Sequence, residues 1–97
     1  MSEAYAVPST PNLANVTASA SAVTVAGANP ARRGLIVFND ADVAVLLKFG
    51  SAASATSFTD KVAAGAVWYM EGPIYNGIVT GIWVSSPTGS ARVTELT

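Results

Sequence analysis

Cysteine and histidine are both absent from this 97-residue chain, and with them goes most of the usual catalytic and metal chemistry. No disulfide, thiolate nucleophile or cysteine metal site is possible, so stability must come from packing or association. Without histidine, Ser-His-Asp and Cys-His catalysis, imidazole proton shuttling and most zinc sites are excluded within a single chain. Charge is scarce as well. Charged residues make up 11% of the chain, against about 25% in ordinary soluble domains. Five Lys plus Arg against six Asp plus Glu leave a formal net charge of -1, so no strong field draws polyanions and nucleic acid is not expected as a partner. No apolar run is long enough to cross a membrane as a helix. Met1-Ser2-Glu3-Ala4-Tyr5 lacks the basic and apolar regions of a secretory signal. This predicts synthesis in the cytoplasm and no glycan on Asn15-Val16-Thr17.

What is present in quantity is apolar surface: hydrophobic residues fill 51% of the chain. A lone monomer of this composition is poorly solvated, and the imbalance predicts surfaces covered by other subunits. The length allows one domain with a modest core.

The turn signals and apolar periods predict an all-β fold, a small antiparallel β-sandwich or barrel of about seven to eight strands with an extended N-terminal arm. Residues 1–20 read as the arm, with Pro8 and Pro11 and little apolar period, and residues 21–97 as a single β domain. Val23-Thr24-Val25 reads as a strand at the end of a small-residue stretch. Beyond the turn signal Gly27-Ala28-Asn29-Pro30, Leu35-Ile36-Val37-Phe38 is a β-branched and aromatic run too short for a helix. Val43, Val45, Leu47 and Phe49 then share one face at period two. With Asn39-Asp40-Ala41-Asp42 supplying turn chemistry, the two runs read as a β-hairpin. Further strands are predicted over 56–62, 66–71, 78–85 and 90–96. In two of the runs both faces are apolar: Leu35 and Val37 against Ile36 and Phe38, and Val67 and Tyr69 against Trp68 and Met70. The second faces need cover, which predicts a homo-oligomer or a copy docked on a large shell.

Seven residues stand out as candidate contacts. Arg32 and Arg33 are two of only five basic residues, and a guanidinium suits a partner's carboxylate or carbonyl; the competing role is a solvated strand entrance. Trp68 and Trp83 fall on strand faces, where burial in core or interface outweighs a sugar-stacking platform. Tyr75 lies in a predicted loop and is the candidate for an exposed contact. Tyr5 and Leu13, with Val7, are the anchors by which the arm would order on a neighbouring subunit. Asp40-Ala41-Asp42 has the alternate spacing of an oxygen-ligand loop, but it lacks the glycine and the later bidentate carboxylate of an EF-hand, so a turn cap is expected. Asp40, Asp42, Asp60, Glu71 and Glu95 give no legible acid-base pair. No catalytic residue, cofactor or metal is expected, and the chain is predicted not to be an enzyme.

The segment from Asn29 to Asp40, Asn-Pro-Ala-Arg-Arg-Gly-Leu-Ile-Val-Phe-Asn-Asp, is followed by Leu46-Leu47-Lys48-Phe49-Gly50, Gly81-Ile82-Trp83 and Gly89-Ser90-Ala91-Arg92-Val93-Thr94-Glu95-Leu96. Together these resemble a group of small virion proteins of tailed bacteriophages and prophages. The resemblance covers roughly residues 29–96 and is a pattern of strands and turns. It implies a non-enzymatic virion structural protein, made in the host cytoplasm, most simply a capsid decoration or cement protein. Its partners would be further copies of itself and the major capsid or other virion proteins, without nucleic acid or membrane. The alternative is a receptor- or carbohydrate-binding virion module, part of a fibre or the head-to-tail region, using Tyr75 and neighbouring loops.

Overall fold

The computed structural model describes residues 10–97, and within them every regular element is a strand. In chain order these are β1 (Pro11–Thr17), β2 (Val23–Ala26), β3 (Gly34–Ala41), β4 (Val45–Phe49), β5 (Asp60–Val62), β6 (Val67–Tyr69), β7 (Val79–Trp83) and β8 (Gly89–Leu96). They form two four-stranded sheets, ordered β1-β8-β3-β6 and β2-β7-β4-β5, with every pairing antiparallel. The two sheets pack face to face as a β-sandwich. No helix among the described residues is long and apolar enough to cross a membrane.

Alternation along the strands builds the core. Leu35 and Val37 of β3 and Ala91 and Val93 of β8 point inward from the first sheet; Val45 and Leu47 of β4, Val79 and Trp83 of β7, Val25 and Val62 meet them from the second. Gly81 lies on the inner face of β7, and a Cβ there would come within 2.9 Å of Val25 Cγ2. The glycine makes room for the Val25 and Val45 side chains of the strands on either side of β7. Gly89 opens β8 at φ 115°, and a Cβ on it would sit 2.5 Å from the Asp40 carbonyl oxygen. Only glycine both adopts that backbone and lets the end of β3 approach so closely.

Three expectations change. The runs 33–39 and 43–49 do not form a hairpin: β3 lies between β8 and β6, and β4 lies between β7 and β5 in the other sheet. Both edges of β3 are occupied, so the short connection through Asp42, Val43 and Ala44 carries the chain across the sandwich. The fully buried side chain of Asn39 holds that crossing. Its Nδ2 donates to the carbonyls of Val43 (2.9 Å) and Val62 (3.0 Å), and its Oδ1 accepts from Trp83 Nε1 (3.0 Å). The second change concerns the arm. Residues 11–17 form β1, in unbroken register along β8, so the β domain begins well before residue 21. Within β1 only Val16 is part-buried. Backbone pairing rather than side-chain burial places this strand, and it therefore leaves no apolar period in the sequence. Third, the strands expected over 56–62 and 66–71 shrink to three-residue edge strands, β5 and β6.

Removing Trp83 from this arrangement creates a core cavity, and Trp83→Ala is expected to cost about 3–5 kcal/mol. Asn39→Ala orphans the Trp83 N–H and two carbonyls and is expected to cost roughly 3 kcal/mol. Because the two side chains share a hydrogen bond, the double variant should fall short of the sum by about 0.5–3 kcal/mol. Urea unfolding of the four proteins checks this, and strict additivity would show that the contact does not couple the sheets.

Candidate functional site

Since Leu35 and Val37 face the core, Ile36 and Phe38 face outward, and strand register extends that outer face across the whole first sheet. Leu13, Thr94, Ile36 and Tyr69 lie side by side on β1, β8, β3 and β6. Asn15, Arg92, Phe38 and Val67 form the next row, and Pro11 and Leu96 flank the first row on its other side. Three apolar side chains here are open to solvent, Leu13 at 72% exposed, Tyr69 at 63% and Val67 at 46%, while Ile36 and Phe38 between them are half-buried. Arg92 and Asp40, on the same face, are paired with each other at 3.1 Å, so the patch carries no net charge from that pair.

The outer face of the second sheet is covered differently. Thr80 points outward from β7 yet is buried, as are Leu46 on the same face of β4, opposite Ile82, and Ala53 in the following loop. Thr80 Oγ1 donates to the Gly50 carbonyl (2.7 Å) and accepts from the Ala53 N–H (3.2 Å). The loop after β4 is thus stitched back over its own sheet, whereas no segment among the described residues is stitched over the first sheet in this way.

A second feature opens between the edge strands β5 and β6. Phe49, Thr59, Asp60, Val67, Trp68, Tyr69 and Glu71 line an open cleft of about 500 Å³. Trp68 Nε1 donates to Asp60 Oδ2 (3.0 Å), and the Lys61 N–H donates to Asp60 Oδ1 (2.8 Å). Both oxygens of that carboxylate are engaged, and the indole is held in one orientation. Trp68 also meets Phe49 edge to face, with ring centroids 6.1 Å apart.

The candidate contacts do not gather into one site. Tyr5 lies outside the described residues. Leu13 stands on the exposed apolar face, Trp68 is half-buried at the cleft, and Trp83 is core. Tyr75 is only half-exposed because its ring stacks on Phe49 at 4.7 Å, within 4° of parallel. Arg32 and Arg33 separate completely. The Arg32 side chain is 0% exposed: Nε pairs with Glu95 Oε2 at 2.7 Å, Nη1 donates to the carbonyls of Tyr75 and Gly77, and Nη2 donates to that of Gly27. Glu95 alternates inward after Ala91 and Val93, which brings it to this arginine. Arg32 therefore locks two loops onto β8 instead of reaching a partner, while Arg33 is exposed.

Asp40 and Asp42 act as turn and pairing groups, Asp42 Oδ1 accepting the Thr88 N–H at 2.8 Å. Among the described residues no three potential ligands converge on a metal position. Tyr69, Val67, Ile36 and Phe38 were legible only as runs with two apolar faces; that they join Leu13 in one patch depends on register with β8. The cleft joins residues 49 and 71 across both sheets, and no local spacing signals it. No family model, curated protein or solved structure matches the chain.

The adjacent arginines should behave oppositely. Arg32→Ala leaves three carbonyls and one oxygen of the part-buried Glu95 carboxylate without their guanidinium, Asn29 Nδ2 still donating to the other oxygen, and is expected to cost about 3 kcal/mol. Arg33→Ala is expected to stay within about 0.5 kcal/mol of the parent. Chemical denaturation of both variants checks this, and equal losses would remove the distinction.

Proposed function

We propose that this chain is a non-enzymatic structural protein that works by contact, docking the outer face of the β1-β8-β3-β6 sheet onto a larger assembly. The carrying observation is the apolar row Leu13, Ile36 and Tyr69 with Phe38 and Val67 beside it, on a face that an isolated antiparallel sandwich turns to water with polar side chains. Covering a large apolar side chain there gains about 1.5–3 kcal/mol before the losses of association. A few such side chains, contributed by β1, β3 and β6, make a broad, flat adhesive surface suited to another protein rather than to a small molecule.

The setting is a virion. The chain is a capsid decoration or cement protein whose partners are other copies of itself and the major capsid or another virion protein. This part rests on the resemblance of residues 29–96 to small phage virion proteins. The mechanism is physical: the docked face adds buried area between shell subunits, so that a shell under internal DNA pressure needs more work to open. No step makes or breaks a covalent bond.

A second reading, a carbohydrate- or receptor-binding virion module, is favoured by the cleft. An indole fixed by Asp60 beside Tyr69, Thr59 and Glu71 combines an apolar stacking surface with hydroxyl-binding groups. Its centre is Trp68 and not Tyr75, whose ring is already stacked on Phe49.

Tyr69→Lys is expected to leave the unfolding midpoint nearly unchanged, since the site is exposed. It should reduce the copies retained on purified particles roughly tenfold or more. Quantitative mass spectrometry of purified particles provides the count; protein found only in infected-cell lysate, or full retention of Tyr69→Lys, would overturn the docking face. On a glycan array the second reading expects binding that Trp68→Ala abolishes. Silence across a broad array counts against it.

A further inference from the structure

Two open sheets have four edge strands, and here they are not alike. β5 and β6 have three residues each, β2 has four and is interrupted by a bulge between Thr24 and Ala26, and β5 carries Asp60 and Lys61. These are the devices by which sheets keep their edges from pairing with other chains: short length, irregular register and charge. The fourth edge has none of them. β1 runs seven residues, Pro-Asn-Leu-Ala-Asn-Val-Thr, pairs in continuous register from Pro11 to Thr17, and carries no charged side chain. Its one proline is the first residue, where the missing N–H does least damage to a ladder. In an antiparallel pair every second residue turns its N–H and C=O away from the partner strand. Among the described residues β8 is the only strand that pairs with β1, so its other side is a row of free donors and acceptors.

We infer that β1 is a self-pairing edge: two copies of the chain join antiparallel through β1, fusing their four-stranded sheets into one of eight strands. The occupant is a second copy because an uncharged strand meets its own image without like-charge repulsion, and because a two-fold axis through Ala14 engages all seven residues at once. In that register Ala14 faces Ala14, Leu13 of one copy faces Asn15 of the other, Asn12 faces Val16 and Pro11 faces Thr17. Each pair joins residues of the same parity, so both copies keep Leu13 on the same outer face. Leu13, the most exposed large apolar side chain among the described residues, gains a neighbour across the axis. The apolar rows of the two copies then run on as one face. The interface is isologous and closes on itself, giving a dimer rather than a fibre. This inference does not rest on the virion reading.

Ala14 is exposed and central, so substitutions there test the edge without opening the core. Sedimentation of the full-length chain over a concentration series is expected to show a monomer passing to a dimer. Ala14→Lys and Ala14→Glu should each remain monomeric with unchanged thermal midpoints at low concentration, and an equimolar mixture of the two should dimerise again. Tyr69→Lys, far from the edge, should dimerise like the parent, which separates failure of this inference from failure of the docking face. In Ala14→Cys the register places two thiols opposite at a Cα separation of about 4.5–5.5 Å, within disulfide reach, and oxidation should link them faster than Ser21→Cys. The inference is overturned by a parent monomeric at every accessible concentration, by Ala14→Lys dimerising as the parent does, or by equal linking of the two cysteine variants. It is also overturned if the β1 amides gain exchange protection only on a different protein.

Discussion

The fold depends most on one buried side chain. Asn39 lies at the inner face of β3, and its amide satisfies the carbonyl of Val43 on the crossing to β4, the carbonyl of Val62 at the end of β5, and the indole N–H of Trp83 on β7. Its backbone is engaged too, the N–H by Ala66 and the carbonyl by Gly65. A polar group this deep is costly in any arrangement that leaves it unpaired. The one that pairs all of it puts β3 and β4 in opposite sheets and Trp83 between them. At the other end of β3, Arg32 does the corresponding work, tying the loops around Gly27 and Tyr75 to Glu95. Polar locks at both ends and an aliphatic core between them leave little choice of register.

With the interior settled in this way, the two sheets differ on their outer faces. The second folds its own loop over β7 through Thr80, so its buried outer residues are covered by the chain itself. The first keeps Leu13, Ile36, Phe38, Val67 and Tyr69 in adjoining rows without such a cover. Its long edge, β1, is also the least defended of the four. Face and edge belong to the same sheet, and a contact made at the edge widens the face. The most exposed large apolar side chains among the described residues, Leu13 and Tyr69, both lie on this sheet.

Strand positions were largely legible because alternation is written locally. Leu35 to Phe38, Val45 to Phe49, Val79 to Trp83 and Ala91 to Leu96 each show which residues can share a face. β1 was not legible as a strand, since almost none of its side chains are buried and its place comes from backbone pairing with β8. The supposed hairpin failed for a related reason. Turn chemistry at Asn39 to Asp42 reports that the chain bends, not which sheet receives it. Among the candidate contacts, neighbouring Arg32 and Arg33 look equivalent as letters and end on opposite sides of the protein surface.

By itself the sequence determined the class of answer: no histidine or cysteine chemistry, strands rather than helices, and an excess of apolar surface on runs with two apolar faces. Tertiary structure decided the pairing of β3 with β8 and β6, the inward turn of Arg32, the stacking of Tyr75 on Phe49, and the joining of Leu13 with Ile36 and Tyr69. The division follows from range. Alternation and turn chemistry act between residues a few positions apart, whereas Asn39 meets Trp83 and Arg32 meets Glu95 across separations of 44 and 63 residues. Those meetings are selected by the cost of leaving buried polar groups unpaired, a cost that exists only once the whole chain has folded around them.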